Sequence, residues 1–183
     1  MSGVIYCPNA NFKYLISNSE VISMRTLIIY DSVYGNTEKI AQSICSALGP
    51  GEEIGLIRAG EATIGQLSGL NILVVGSPTQ RFMATHAINE LFKIIPRNSL
   101  KGVKVAAFDT RLSLSDIESS VERFAVKVGG YAAKGIANRL KKCGGSLIVP
   151  PEGFIVKGME GPLMEGELER AADWAHQIKS LSD

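Results

Sequence analysis

Residues 71–77, "NILVVGS", restrict the fold more than any other stretch. The run is apolar without alternation, so a strand built from it is covered on both faces. Such a strand belongs to a sheet lying between two layers of helices. The flanking segments repeat the scheme. "TLIIYD" (26–31) predicts a strand, followed by a helix over 36–48 with Ile40, Ile44 and Leu48 on one stripe. "EEIGLIRA" (52–59) predicts a second, less apolar strand that suits a sheet edge, and "IGQLSG" (64–69) a short helix. A helix fits 84–95 and is stopped by Pro96, and "KVAAFD" (104–109) is a fourth strand. Residues 115–143 read as helix broken near Gly129-Gly130, and "SLIVPPEGFIV" (146–156) as a fifth strand interrupted by proline. A last helix over about 165–181 puts Leu168, Ala171, Ala175 and Ile178 on one face. This alternation predicts an α/β three-layer sandwich with a five-stranded parallel sheet of order 2-1-3-4-5.

The chain of 183 residues is long enough for one domain with its own core. That domain is expected over 25–183, with 1–24 as an N-terminal extension; "FKYLIS" within it has the composition of an added strand. The start lacks the basic and apolar regions of a signal peptide. A formal charge of +1 gives no basic field for nucleic acid, and no run approaches the roughly 18 to 20 apolar residues of a membrane span. Cys7, Cys45 and Cys143 are an odd number, far apart and without a C-x-x-C pair. That pattern argues against a disulfide framework or a metal site and suits a reducing compartment, so the expected location is cytoplasmic.

In an open sheet of this order, ligands bind beyond the carboxyl ends of the strands. Three loops fall there: 31–37, 77–83 and 109–114. The first, within "YDSVYGNTEK" (30–39), joins a strand to a helix start. Unpaired N–H groups and the positive helix dipole make such a junction an anion site. Ser32 and Thr37 add hydroxyls, and Gly35 permits a tight turn. The alternative is an ordinary turn in which Asn36 or Thr37 caps the helix. Other signatures are missing. There is no Walker A string, no G-x-G-x-x-G and no G-x-S-x-G elbow. The two histidines, His86 and His176, fall on separate expected helices and read as surface or packing residues.

"SVYGNT" (32–37) resembles the phosphate loop of the flavodoxins, roughly [ST]-x-T-G-x-T, with Tyr34 departing at the middle hydroxyl. "GSPTQRF" (76–82) resembles the flavin-ring loop of the flavodoxin-like NAD(P)H:quinone oxidoreductases, and "FDTR" (108–111) falls where the third flavin loop belongs. The resemblance spans about residues 25–181. It implies that FMN is the cofactor. Ser32, Val33, Tyr34, Gly35, Asn36 and Thr37 would surround its phosphate. Pro78, Thr79, Gln80, Arg81 and Phe82 would line one side of the ring, with Phe82 available for stacking. Asp109, Thr110 and Arg111 would approach from the other loop. The alternatives are a core residue for Phe82 and surface charges for Arg81 and Arg111.

The resemblance leaves three functions open: an FMN electron-transfer protein serving a partner protein, an FMN-dependent NAD(P)H:quinone-type oxidoreductase using a nicotinamide or quinone, and an FMN-free interaction module. No separate catalytic residue is implied, because the flavin carries the chemistry. Electron-carrier flavodoxins are commonly acidic and often place a glycine in the ring loop to support the half-reduced flavin. This chain is near neutral, and "SPTQRFM" (77–83) has no glycine, which favours two-electron chemistry.

Overall fold

The computed structural model describes residues 5–6, 25–49, 53–113 and 131–182. Its strands are β1 (Ile5–Tyr6), β2 (Arg25–Tyr30), β3 (Glu53–Arg58), β4 (Ile72–Pro78), β5 (Lys104–Leu112), β6 (Ser146–Leu147) and β7 (Glu152–Val156). The α-helices are α1 (Asn36–Leu48), α2 (His86–Ile94), α3 (Ala132–Lys142) and α4 (Glu167–Ser180). The stretch expected as a short helix at 64–69 is a 3-10 turn, Ile64–Leu67. "FKYLIS" and the helical reading of 114–130 lie outside the described residues.

The parallel strands run β3-β2-β4-β5, with β6 and β7 both paired to β5. This is the expected order 2-1-3-4-5, its last position shared by two short strands. Pro150 and Pro151 cause the division, since proline cannot donate to a sheet ladder. The second predicted strand, β3, is not left as a bare edge, because β1 pairs antiparallel to it through Ile5↔Leu56 and Tyr6↔Gly55.

β4 is the centre, and Ile72, Leu73, Val74 and Val75 are all fully buried. Alternation then divides the core. Leu73, Val75, Val105 and Ala107 face α2 and α3, whereas Val74, Ala106 and Phe108 face α1 and α4. On the second face Phe108, Phe154 and Trp174 meet edge to face, with centroids 6.1 to 6.3 Å apart. The buried stripe of α4 is Ala171, Trp174, Ala175 and Ile178. Leu168, expected on that face, is 42% exposed, because it lies in the first turn before the packed stripe begins.

β5 is longer than its apolar run suggested. β7 pairs with it from Phe108 to Leu112, so residues 109–111 are strand rather than loop. Cys45 is disulfide-bonded, which corrects the expectation of reduced cysteines and removes the cysteine argument for a reducing compartment. Among the described residues no helix is long and apolar enough to cross a membrane.

Two outcomes follow from this packing. β1 contributes only two residues of pairing, so a chain beginning at Met24, which also lacks Cys7, is expected to keep the one cooperative thermal transition that the reduced full chain shows by circular dichroism. Loss of that transition would place an essential element before Met24. The Phe108 ring lies across Gly76, where a Cβ would fall 2.1 Å from the ring. Gly76→Ala is therefore expected to cost about 1–3 kcal/mol through overpacking, read as a lower urea midpoint at unchanged slope.

Candidate functional site

At the carboxyl end of β2 the chain turns through 31–35 into α1. Gly35 stands at the helix N-cap with φ of 81°, a conformation open to glycine at little cost. The N-cap residue, Gly35, has no side chain to cap α1, so the reading of Asn36 or Thr37 as the cap does not hold. Both side chains are engaged elsewhere. Asn36 Nδ2 donates to the carbonyl of Glu160 at 2.8 Å, tying the loop after β7 to this turn. Thr37 Oγ1 and Thr110 Oγ1 lie 2.8 Å apart, both buried. In that pair one hydroxyl donates to the other, which leaves the second with its own proton to give. Ser32 Oγ accepts from the Glu38 N–H at 3.3 Å and likewise keeps its proton. The Lys39 N–H bonds Gly35 O at 3.0 Å, whereas the N–H groups of Asn36 and Thr37 have no partner among the described residues.

At the end of β4 the chain forms a tight two-residue turn. The N–H and C=O groups of Gln80 and Met83 bond each other at 2.9 Å in both directions. Arg81 and Phe82, between them, have φ of 47° and 68°. Two successive positive φ values are the type I′ signature, which ordinarily selects Asn-Gly. Arginine and phenylalanine hold it under strain, a pattern that clusters at ligand clamps.

At the end of β5 the strand's alternation separates the three expected residues. Thr110 points to the α1 side, where it meets Thr37. Asp109 and Arg111 lie on the α3 side. Asp109 is fully buried, bonds the Arg111 side chain and accepts the Ala133 N–H at 2.7 Å. Burial pushes its carboxyl up, against the opposing pull of Arg111, the Ala133 N–H and Thr79. Arg111 stacks over the Tyr131 ring at 4.0 Å and passes over Gly153, where a Cβ would fall 2.1 Å from the guanidinium. Its side chain is 19% exposed, so it is not the free surface charge given as the alternative.

Two connected hollows lie between these strand ends. The larger is an open cleft of about 790 Å³, and the smaller a pocket of about 80 Å³. Val33, Tyr34, Pro78 and Thr79 border both. Gln80, Arg81 and Phe82 line the cleft, Phe82 being half-buried. Asn36, Thr37, Thr110 and Arg111 line the pocket. Ser32, Gly35 and Asp109 line neither. Ser32 and Gly35 shape the turn, and Asp109 anchors α3, so the expectation that Asp109 approaches a ligand directly gives way to a buried structural role.

The sequence did not single out Met159, Tyr131, Thr85 or His86 as cleft residues, yet all four line it. His86 was read as a surface residue; it is exposed, and 3.6 Å from Glu90. The only available signal was topological. A fourth loop, the one after the fifth strand, also opens at the carboxyl end, and it brings Met159 over both hollows. Among the described residues no Asp or Glu lines either hollow. Among the described residues no cluster of His, Cys, Asp or Glu could hold a metal ion. The arrangement suits a ligand with one anionic end in the pocket and a flat apolar body in the cleft.

The turn gives a test on stability. Arg81→Asn places a residue that tolerates positive φ and is expected to raise the unfolding free energy from a urea titration by roughly 0.5–1 kcal/mol. Arg81→Val, β-branched, is expected to lower it by about 1–2 kcal/mol. Equal midpoints for the two would mean that the turn stores no strain.

No protein-family model matches the chain, and no curated protein matches it. Solved structures do. Oxidised Flavodoxin 2 from Bacillus cereus superposes with a TM-score of 0.67 at 21% identity, over 85% of this chain and 98% of that one. Oxidised Flavodoxin 1 from the same organism gives 0.65 at 15% identity, over 85% and 97%. A flavodoxin, WrbA-like protein from Agrobacterium tumefaciens gives 0.64 at 15% identity, over 87% and 98%. With that sheet order and these neighbours over most of its length, the chain has the flavodoxin-like fold.

Proposed function

We propose that the protein binds FMN across the two hollows and serves as a redox protein that mediates electron transfer. The observation that carries this reading is the buried Thr37–Thr110 hydroxyl pair beside the open N–H groups of α1, on the wall of a small pocket leading into an apolar cleft. A phosphate needs several donors at short range and little room. The helix start, the two hydroxyls and a pocket of about 80 Å³ fit that need. The Asn36–Glu160 bond holds the neighbouring loop against the turn, which suits a terminal phosphomonoester better than the diphosphate of FAD. Pro78, Thr79, Gln80 and Phe82 would line the ring, and Tyr34, 52% exposed, stands at the mouth. When bound, FMN supplies reversible electron and hydride chemistry, and the protein orients it and limits its contact with water.

A second reading, an FMN-dependent NAD(P)H:quinone-type oxidoreductase, is favoured by one observation. Among the described residues the cleft lining has Arg81 and His86 and no carboxylate, which suits an anionic small molecule. The cytoplasmic location expected from sequence loses its cysteine argument to the Cys45 disulfide and is not carried further.

FMN added to apo-protein should lose fluorescence and raise the thermal midpoint. No change at saturating FMN would reject the reading. Thr37→Val is expected to weaken FMN about ten- to a hundredfold, because a hydrogen bond to a charged group contributes roughly 1.5–3 kcal/mol. Riboflavin, which has no phosphate, should bind the variant and the parent alike.

A further inference from the structure

The first turn of α1 carries a carboxylate that could close the phosphate turn from within the chain. Glu38 is the third residue of the helix after Gly35. A glutamate at that position ordinarily turns back to the N–H of the N-cap residue, as half of a capping box. There it would take up the donors and the positive helix end that a phosphate needs. The other half of the box is present, since Ser32 Oγ accepts the Glu38 N–H at 3.3 Å. The glutamate half is not made, and the Gly35 N–H has no partner among the described residues. The Glu38 oxygens instead accept from Tyr30 Oη at 3.1 Å and from Arg58 Nη2 at 2.7 Å. Strand register explains why. Tyr30 and Arg58 are Cα partners in the parallel β2–β3 pair, so both side chains stand on the sheet face that α1 covers. The Arg58 guanidinium lies 5.6 Å from the Tyr30 ring centroid, and its Nη1 donates to the Ser32 carbonyl at 3.3 Å. One arginine at the end of β3 thus fixes both the turn and Glu38. The other acid of the turn, Asp31, is engaged locally, its carboxylate accepting the Ser32 N–H at 2.9 Å. Arg58 and Glu38 line neither the cleft nor the pocket, so both act through the turn. The Arg58 side chain is 44% exposed, so its exchange opens no cavity.

We propose that Arg58 is a positioning residue for the phosphate turn, one that keeps the Glu38 carboxylate off the start of α1 and so leaves its N–H groups open to a phosphomonoester. The inference rests on the FMN reading for the occupant of that turn. It goes further in naming what decides between a phosphorylated flavin and an unphosphorylated one. Without Arg58, Glu38 loses its charged partner and has the Gly35 N–H of its own turn as a replacement. A carboxylate at that N–H sits against the phosphate, and two negative groups at one helix start repel. Tyr30 Oη alone is a neutral donor, weaker than the charge-assisted bond from Arg58. The effect falls on the phosphate and spares the ring, which the 78–82 turn would line.

The test measures dissociation constants for FMN and riboflavin in the full chain, in Arg58→Gln, in Arg58→Lys, and in Arg58→Gln combined with Glu38→Gln. Arg58→Gln is expected to weaken FMN about tenfold, within the range for a partly buried charge at a helix terminus, and to leave riboflavin unchanged. Arg58→Lys, which keeps the charge, should recover most of the loss. The double variant should recover it too, because it removes the group that Arg58 restrains. An FMN affinity unchanged in Arg58→Gln would overturn the proposal. Parallel losses for FMN and riboflavin would do the same, since they would mark a general support of the fold. A double variant as weak as Arg58→Gln would also reject it. A second readout needs no flavin. In the apo-protein the Gly35 amide proton should move downfield in Arg58→Gln, as it gains the carboxylate, and return in the double variant. A Gly35 signal unmoved by Arg58→Gln would overturn the proposal. If the parent failed to bind FMN, the functional reading would fail instead, and the Gly35 amide would decide whether Arg58 holds Glu38 off the turn.

Discussion

A buried carboxylate at the end of β5 holds the walls of the cleft to one another. Asp109 takes the Ala133 N–H of α3 on one side and the Arg111 side chain on the other. Thr79, just after β4, accepts the Ala132 N–H on its hydroxyl oxygen at 3.2 Å. The first turn of α3 has no capping side chain of its own, so two strand ends supply the caps. Arg111 in turn supports the ring of Tyr131, which lines the cleft. One ionised group without partners would be costly at this depth, and the cluster persists because each member satisfies another. The charge of Arg111 is therefore largely spent on Asp109. It shapes the pocket more than it attracts a ligand, whereas Arg81 at the rim is in no ion pair among the described residues.

The opposite wall depends on a connection over long sequence distance. Asn36 and Glu160 are 124 residues apart, yet their hydrogen bond joins the turn before α1 to the loop after β7. That loop is itself braced, since the Lys157 N–H bonds Pro162 O at 2.9 Å and the Met164 N–H bonds Ile155 O at 2.8 Å. Met159 is carried at its tip, 83% exposed over both hollows. Methionine there offers an adaptable apolar contact rather than a fixed one. The cleft thus has a rigid floor of strand ends and a softer margin of Met83, Met159 and Tyr34.

Between these walls the site is defined by where donors remain unspent. Helix starts supply N–H groups that nothing inside the fold needs, and the flavodoxin-like topology brings two of them to one cleft. The turn at Arg81-Phe82 accepts an unfavourable backbone to place its side chains at the margin. Strain and open helix-start donors coincide at one end of the sheet, which is where the doubly wound order alone would place a ligand.

The alternation of apolar runs with helical stripes was enough to determine the layers, the sheet order and the end of the sheet that binds. It located α1 to the residue, because periodicity and a glycine before Asn36 are local properties. It also identified the turn at 31–37 and the loop at 77–83, since their residue types follow from local backbone chemistry. What it could not settle was which way side chains face where strands are extended by their neighbours. β7, displaced past two prolines, lengthens β5 through Leu112 and turns an expected loop into an alternating strand. That alternation sends Thr110 to Thr37 and buries Asp109 beneath α3, an outcome fixed by pairing across more than forty residues. Met159, Tyr131 and Thr85 entered the site in the same way. Each acquires its role from elements distant in the chain, and no spacing within its own segment carries that information.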